Sequence, residues 1–138
     1  MRVLIYLGAH PGEKVSTQQI SEAYGISKNH LVRVVHTLDS IGYVKVTPGR
    51  NGGVTLAKAP EEIRFGETLR RAEPSMRLVE CFDKETNTCP INGACDLKAY
   101  LRDALEAFLR ELDKHTLADL LAGKRKQQLA KALQQIEA

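Results

Sequence analysis

Residues 16–31 read Ser-Thr-Gln-Gln-Ile-Ser-Glu-Ala-Tyr-Gly-Ile-Ser-Lys-Asn-His-Leu, and this stretch decides the fold. It opens with two hydroxyl side chains, which are preferred helix caps. Gly25, near its middle, suits the positive φ of a tight turn. Ser27 then predicts the cap of a second helix, which apolar residues at three- and four-residue spacing carry to about Ser40. Two helices joined by a tight turn indicate a helix-turn-helix.

The flanking segments extend this motif into a larger unit. Residues 2–9 predict a short helix that ends at Pro11, and no capping residue precedes it. We therefore expect the first turns of this helix to be missing from the chain as given. Beyond Gly42, apolar residues alternate in 43–47 and 53–57 around a glycine-rich turn, which predicts a β-hairpin. Helix, helix, turn, helix and hairpin is the order of a winged helix-turn-helix.

A long helix is predicted after the cysteine-containing segment, from Asp96 to about Leu112. Its apolar positions repeat at four and three residues, which is typical of a seam that packs on another helix. The sequence thus predicts a mainly α fold: a winged helix-turn-helix with a β-hairpin wing plus a long C-terminal dimerisation helix. The predicted dimerisation positions are Leu97, Leu101, Ala104, Leu105, Phe108 and Leu112.

The chain of 138 residues divides into five segments. They are a winged helix-turn-helix DNA-binding region (1–60) with a truncated first helix, a connecting helix (61–80), a cysteine loop (81–95), dimerisation helices (96–121) and a polar tail (122–138). We expect the tail to form a frayed amphipathic helix.

Charge is distributed unevenly along the chain. Residues 1–60 contain seven Lys/Arg against three Asp/Glu, whereas residues 61–138 contain thirteen against fourteen. A basic first half favours a polyanionic partner, although charge alone leaves an RNA-binding role equally open. The sequence has neither a signal peptide nor a stretch near the ~20 apolar residues of a membrane span. We therefore expect a cytoplasmic protein with no membrane partner.

The start of the second helix of a helix-turn-helix faces base edges in the major groove. Asn and Arg can bond bases there, Ser can bond a phosphate, and an Arg at a wing tip suits a minor groove. The simpler interpretation is that these are solvated polar residues on a three-helix core. The candidate DNA-binding residues are Ser27, Lys28, Asn29, His30 and Arg33 on the second helix, Arg50 and Asn51 on the wing, and Thr17 and Gln18 for phosphates.

The chain has three cysteines, Cys81, Cys89 and Cys95, and all lie within fifteen residues. An odd, clustered set argues against a disulfide framework and indicates a metal or cluster site. The spacing lacks the short Cys-x2–4-Cys pairs of structural zinc sites, and three thiolates leave one position of a four-ligand site open. Two alternatives are three buried apolar thiols and a purely thiol-based redox switch.

With both halves in view, the chain resembles the NsrR-type nitric-oxide-sensing iron–sulfur repressors, within the family of winged-helix repressors that also includes IscR. The likeness extends over nearly the whole chain, to about Leu121. The residues that carry it are Val3-Leu4-Ile5-Tyr6-Leu7, Tyr24-Gly25-Ile26-Ser27-Lys28-Asn29-His30-Leu31, Gly49-Arg50-Asn51-Gly52-Gly53-Val54, Leu78-Val79-Glu80-Cys81-Phe82, Cys89-Pro90-Ile91, Cys95-Asp96-Leu97-Lys98, Phe108-Leu109 and Thr116-Leu117-Ala118-Asp119-Leu120.

The resemblance implies a homodimer that binds a palindromic operator on double-stranded DNA. It also implies an iron–sulfur cluster, either 4Fe-4S or 2Fe-2S, held by Cys81, Cys89 and Cys95 and responsive to nitric oxide. IscR-like members place a histidine ligand where this chain has Lys98, which favours the NsrR branch. The Asp that NsrR-like proteins use as a further ligand would precede Met1 and is not in this sequence.

Two other functions remain open at this point. One is a regulator of the same fold that senses redox or iron–sulfur status, and the other is a non-regulatory iron–sulfur carrier. We do not expect an enzyme, because the sequence contains no Ser/His/Asp arrangement, phosphate loop or two-His metal motif.

Overall fold

The computed structural model describes residues 1–73 and 75–134, so residues 135–138 of the predicted polar tail lie outside the described residues. The elements are α1 (Arg2–Ala9), α2 (Thr17–Tyr24), α3 (Lys28–Ser40), β1 (Val44–Thr47), β2 (Gly53–Leu56), α4 (Phe65–Ala72), α5 (Leu97–Asp113), α6 (Leu117–Leu120) and α7 (Lys124–Gln134). Short 3-10 turns occupy Pro60–Glu62 and Glu80–Phe82. The mainly α fold with a small hairpin confirms the prediction.

The turn between α2 and α3 has the predicted chemistry. Gly25 has a φ of 61°, in the left-handed region where glycine is favoured. The hydroxyl of Ser21 donates to the Ile26 carbonyl at 2.6 Å and braces the turn. The apolar side chains of α3, Leu31 among them, are buried in a core shared with α1 and α2. This packing fixes the angle at which α3 is presented.

The wing is a two-stranded antiparallel hairpin in which Val44 lies opposite Leu56 and Thr47 lies opposite Gly53. It does not stand alone. Val15, just before α2, exchanges two backbone hydrogen bonds with Val54, at 3.1 and 2.8 Å. Neighbouring strands stabilise one another through such ladders. The hairpin is therefore fastened to the helix-turn-helix.

Two close helix approaches depend on glycine. Gly66 in α4 lies so near α5 that a Cβ would come within 2.5 Å of the Leu109 carbonyl oxygen. Gly8 in α1 lies against Leu121, which follows α6. A side chain at Gly66 would push α4 and α5 apart, because the close atom there is a backbone oxygen, whereas one at Gly8 would displace the Leu121 side chain.

The segment predicted as a polar tail contains an ordered helix. Leu133 of α7 is 5% exposed and Leu129 packs against the same core, where α7 contacts α1 and α2. The expected amphipathic character is present, but the helix packs on the DNA-binding region and is not merely a polar appendage. Within the described residues, no helix is both long and apolar enough to cross a membrane.

Candidate functional site

The N-terminal end of α3 presents a polar surface. Lys28, Asn29, His30 and Arg33 are all exposed there. Ser27 occupies the N-cap position, as predicted, but its hydroxyl makes no capping hydrogen bond. These five side chains are therefore held on one helix end and point away from the core.

The two residues predicted to bind phosphate lie at the start of α2. Ser16 caps this helix through a reciprocal capping box, in which the Gln19 backbone N–H donates to the Ser16 hydroxyl at 3.2 Å. Thr17 is half-buried, and Gln18 is exposed. The Gln18 amide donates to the Glu22 carboxylate one turn along the helix. A phosphate would have to compete with that carboxylate for Gln18.

The wing tip carries the other predicted DNA-binding residues. Arg50 and Asn51 are exposed in the turn between β1 and β2. The Lys14 ammonium donates to the Asn51 carbonyl at 3.4 Å, and the Asp39 carboxylate at the end of α3 accepts from the Val46 backbone N–H at 3.1 Å. The tip is thus tied to both sides of the helix-turn-helix.

The three cysteines are free thiols, and each is half-buried. The loop between Cys81 and Cys89 is organised by Asp83. Its carboxylate accepts from the Glu85 backbone N–H at 3.0 Å and from the Thr86 hydroxyl at 2.7 Å. These short-range hydrogen bonds close a turn of the kind that aspartate side chains favour.

An ion pair anchors the same turn. The Arg77 guanidinium lies 2.7 Å from the Asp83 carboxylate, whose side chain is 11% exposed. The Thr86 hydroxyl, the Glu85 backbone N–H and Arg77 together lower the pKa of Asp83, in that order of importance, while burial opposes them. Asp83 is consequently ionised across the physiological range and is engaged on both carboxylate oxygens.

The cysteine loop is also fastened to α5. The Lys98 ammonium, in the first turn of α5, donates to the Asn92 side-chain oxygen at 3.2 Å. The Arg102 guanidinium lies 5.9 Å from the ring centre of Phe82, which follows Cys81. Movement of either end of the loop therefore acts directly on the start of α5.

The donor set suits an iron–sulfur cluster, because such clusters are held by Cys thiolates and all three thiols here are unpaired. Within residues 1–73 and 75–134, however, no three His, Cys, Asp or Glu side chains are gathered into a metal-binding group. The residues fit the group in type and number.

The hydrogen-bonding network around α4 links the C-terminal helices to the C-terminal end of α3. The Arg71 guanidinium donates to the Ile41 carbonyl at the end of α3, at 2.8 Å, and lies over the Tyr43 ring at 5.2 Å. The Tyr43 hydroxyl donates to the Glu67 carboxylate at 3.3 Å. On its other side, Arg70 of α4 pairs with Asp113 of α5.

The predicted dimerisation helix has two different faces. Leu109, which the periodicity analysis did not single out, is 3% exposed, in the part of α5 that packs on α4. Leu97, Tyr100 and Phe108 are 57%, 64% and 53% exposed. Of the other predicted seam residues, Ala104 is exposed, and Leu101, Leu105 and Leu112 are half-buried. An apolar stripe thus runs along the outer face of α5.

An exposed recognition-helix start, a docked wing and a separate helical extension define a winged-helix DNA-binding regulator. The chain belongs to the Rrf2 family, described as iron-dependent transcriptional regulators, whose sequence profile matches residues 1–123. This agrees with the expectation of a transcriptional regulator rather than an enzyme.

Similar proteins point to one branch of that family. The chain is 48% identical over 125 residues to the HTH-type transcriptional regulator NsrR of Bacillus subtilis (strain 168), covering 90% of this chain and 86% of that protein. It is 47% identical over 122 residues to the regulator of the same name from Shouchella clausii (strain KSM-K16), covering 88% and 82%.

Solved structures agree on the fold. T. potens IscR superposes with a TM-score of 0.66 at 27% identity, covering 87% of this chain and 78% of that one. CymR, the global cysteine regulator of B. subtilis, gives a TM-score of 0.64 at 26% identity, covering 86% and 87%.

Proposed function

We propose that the chain is a transcriptional repressor, acting in the cytoplasm, whose affinity for a palindromic operator is set by a nitric-oxide-sensitive iron–sulfur cluster. The observation that carries this proposal is the attachment of a three-cysteine loop to the first turns of α5, through Lys98 and Arg102. The similar proteins are named as transcriptional regulators, which supports the regulatory part of this function.

Cys81, Cys89 and Cys95 are the proposed ligands. When bound, the cluster would supply an iron that lacks a thiolate ligand, because only three thiolates are present, and a small neutral molecule such as nitric oxide could bind there. The protein's own contribution is to hold three thiols on one loop and to connect that loop to α5.

The connection from the loop to the recognition helix runs through α5 and α4. Lys98 joins the loop to α5, Asp113 joins α5 to Arg70 of α4, and Arg71 of α4 bonds to the carbonyl of Ile41 that ends α3. A small displacement of α5 is thereby passed to the end of the recognition helix. A coupling of ~1–3 kcal/mol would change operator affinity about 5–150-fold.

The stripe on α5 supports a homodimer, the oligomer implied by a palindromic operator. Leu97, Tyr100 and Phe108 expose apolar surface that a second copy of the chain would cover. Two recognition helices must lie about 34 Å apart to read successive major grooves. A shift in how the two α5 helices cross changes that spacing and weakens binding to the operator.

The bases are read from the start of α3. Lys28, Asn29 and Arg33 are exposed where a recognition helix meets base edges, with Ser27 and His30 beside them. Arg50 and Asn51 on the wing reach toward the flanking minor groove, and Thr17 and Gln18 lie toward the phosphates.

The decisive experiment uses the full chain, purified and reconstituted with iron and sulfide under strict anaerobiosis. A duplex that it binds is first selected from a randomised library, and affinity is then measured by fluorescence anisotropy with and without stoichiometric nitric oxide. We expect a visible absorption band that nitric oxide bleaches, together with a loss of affinity for the selected palindrome.

Substitution of each cysteine locates the ligands. Cys81→Ala, Cys89→Ala and Cys95→Ala should each abolish the absorption band and weaken operator binding, whereas Thr88→Ala, a change beside Cys89, should retain both. Colourless, sulfide-free protein that binds a palindrome with full affinity would instead indicate a same-fold redox regulator. Cluster transfer to an acceptor without palindrome binding would indicate a carrier.

A further inference from the structure

The basic charge of the second half of the chain is concentrated in α7. Residues 61–123 contain nine Lys/Arg against thirteen Asp/Glu and are acidic. Residues 124–134 contain four Lys/Arg and no Asp/Glu. The near-neutral net charge of residues 61–138 is therefore the sum of one acidic segment and one strongly basic helix.

This basic helix packs on the DNA-binding region. Leu129 and Leu133 of α7 join the core cluster, and α7 contacts α1 and α2. Residues 1–60 themselves contain seven Lys/Arg against three Asp/Glu. The two helices that α7 contacts, α1 and α2, carry one arginine and one glutamate between them, so they do not neutralise the charge of α7. A polyanion can neutralise it.

The geometry of α7 separates its packing face from its charged face. Lys124 and Lys131 lie seven residues apart, about two helical turns, so they share one face. Leu129 lies two residues before Lys131, and Leu133 lies nine residues after Lys124. On an α-helix both separations place side chains on opposite sides, so the lysines point away from the packed leucines. Both lysines are exposed. Between them the same face carries Gln127 and Gln128, which can also donate hydrogen bonds.

The position of α7 beside α2 indicates its partner. In a helix-turn-helix the first helix crosses the DNA backbone while the second enters the major groove. The cationic helix α7 packs against α2, the helix that crosses the backbone in this motif. Lysine binds phosphate as a point charge without selecting a base sequence.

We propose that α7 is an additional DNA-binding element, whose Lys124–Lys131 face binds phosphates that flank the sequence read by α3 and the wing. This inference rests on the proposed DNA-binding function and extends it beyond the winged helix. The contact adds affinity without adding base specificity.

Salt dependence provides the quantitative test. Each phosphate neutralised on B-DNA contributes about 0.9 to the slope of log affinity against log salt concentration. The double variant Lys124→Gln/Lys131→Gln removes two exposed charges and keeps helix-forming side chains. In the double variant, the magnitude of the slope of log affinity against log salt concentration should be smaller by about 1–2. The ratio of wild-type affinity to variant affinity should therefore fall about tenfold between 50 and 200 mM salt.

The matched control is Lys84→Gln/Arg110→Gln, which removes two exposed charges from the acidic segment. The probes are labelled duplexes of the selected palindrome, either bare or extended by about six base pairs at each end. The wild type and the control should bind the extended duplex more tightly than the bare one, and the α7 variant should lose this preference. Circular dichroism melts check that each protein folds.

The outcomes separate this inference from the function on which it rests. If the wild type binds no duplex, the proposed DNA-binding function is wrong. If the wild type binds its palindrome and the α7 variant has the same salt slope and the same preference for flanks, the role of α7 is refuted while the repressor function stands.

Discussion

Arg70 and Asp113 face each other across α4 and α5 and form two parallel hydrogen bonds, from Nη1 to Oδ1 at 2.9 Å and from Nη2 to Oδ2 at 2.8 Å. The Arg64 guanidinium adds a bond to the Asp113 backbone carbonyl at 3.0 Å. Two arginines from the segment around α4 thus converge on the end of α5. This junction joins the helix that follows the cysteines to the helix that contacts α3.

The first prediction concerns acid stability. The hydrogen bonds from Arg70 lower the pKa of Asp113, and burial opposes them. A lowered carboxyl pKa stabilises the folded state at pH values above the ordinary Asp pKa of about 3.9, and that stabilisation is lost as the pH falls through the lowered value. Asp113→Asn should therefore unfold at lower urea concentration than the wild type at pH 7, and the two should converge as the pH falls below the lowered pKa of Asp113.

The control for this series is Asp103→Asn, an exposed carboxylate on the same helix. It should follow the wild type at every pH. A difference between Asp113→Asn and the wild type that persists unchanged in acid would show that the amide acts by altering packing and not by removing charge.

The second prediction concerns the close contact at Gly66. Alanine in place of a helical glycine ordinarily stabilises by about 0.5–1 kcal/mol. Here the new Cβ would collide with the Leu109 carbonyl and the Asp113 carboxylate. Gly66→Ala should instead destabilise by about 1–3 kcal/mol, as overpacking does. Urea denaturation measures the change.

Gly93→Ala is the matched glycine control, since a Cβ there meets no heavy atom within 4 Å. Its effect should stay within about 0.5 kcal/mol, the range of ordinary surface changes. Equal effects at the two glycines would mean that α4 and α5 do not pack as closely as described.

The third prediction tests coupling through Arg71. Arg71→Gln loses the bond to the Ile41 carbonyl and the contact with Tyr43. The operator affinities of the reconstituted and cluster-free forms should become similar. Their ratio should fall below about 5, the lower end of typical allosteric coupling. Titration of both forms with the selected palindrome gives this ratio.

Glu67→Gln is the comparison for Arg71. The amide can still accept from the Tyr43 hydroxyl, while the ion pair with Arg71 is lost. Exposed ion pairs contribute little, so this variant should keep the wild-type ratio. The coupling route through α4 would be wrong if Arg71→Gln responded to nitric oxide as fully as the wild type.

The fourth prediction separates DNA reading from the cysteine site. Arg33→Ala should weaken binding to the selected palindrome by about 1–3 kcal/mol and relax base preference at one position of each half-site. The visible absorption band should be unchanged, because Arg33 lies on α3, far along the chain from the loop. Arg110→Ala on α5 should alter neither property, and bleaching in Arg33→Ala would indicate a misfolded protein.

The fifth prediction concerns the stripe on α5. Phe108→Glu places a charge in the middle of exposed apolar surface. We expect analytical ultracentrifugation to show a monomer, with a corresponding loss of affinity for the full palindrome. Ala99→Glu adds the same charge on the opposite side of α5, two residues from Leu97, and should leave a dimer. A dimeric Phe108→Glu protein would exclude this face as the interface.

Local sequence was sufficient for the elements of the DNA-binding region. Gly25 has the positive φ expected of it, and the apolar spacing along α3 predicted its extent to Ser40. These features depend on residues a few positions apart. Ser27 occupies the predicted N-cap position, but its hydroxyl makes no capping hydrogen bond.

The contacts that connect the two halves could not be derived in this way. Arg70 and Asp113 lie 43 residues apart, and Arg71 and Ile41 lie 30 apart, so no periodicity relates them. The cysteine spacing predicts the type of ligand. The hydrogen bond from Lys98 to Asn92 could not be predicted, because it depends on how the loop folds against α5. Leu129 and Leu133 show helical spacing, but only the fold reveals that they pack on the DNA-binding region.

The bonds between Val15 and Val54, with the bond from Val46 to Asp39, make wing and helices a single solid piece. A displacement of α4 therefore acts on a helix-turn-helix and wing whose relative arrangement is already fixed. If the proposed signal reaches the helix-turn-helix through α4, it should change the affinity for every operator and leave the base preference unchanged. The proposed regulation therefore acts on the strength of DNA binding and not on its sequence specificity.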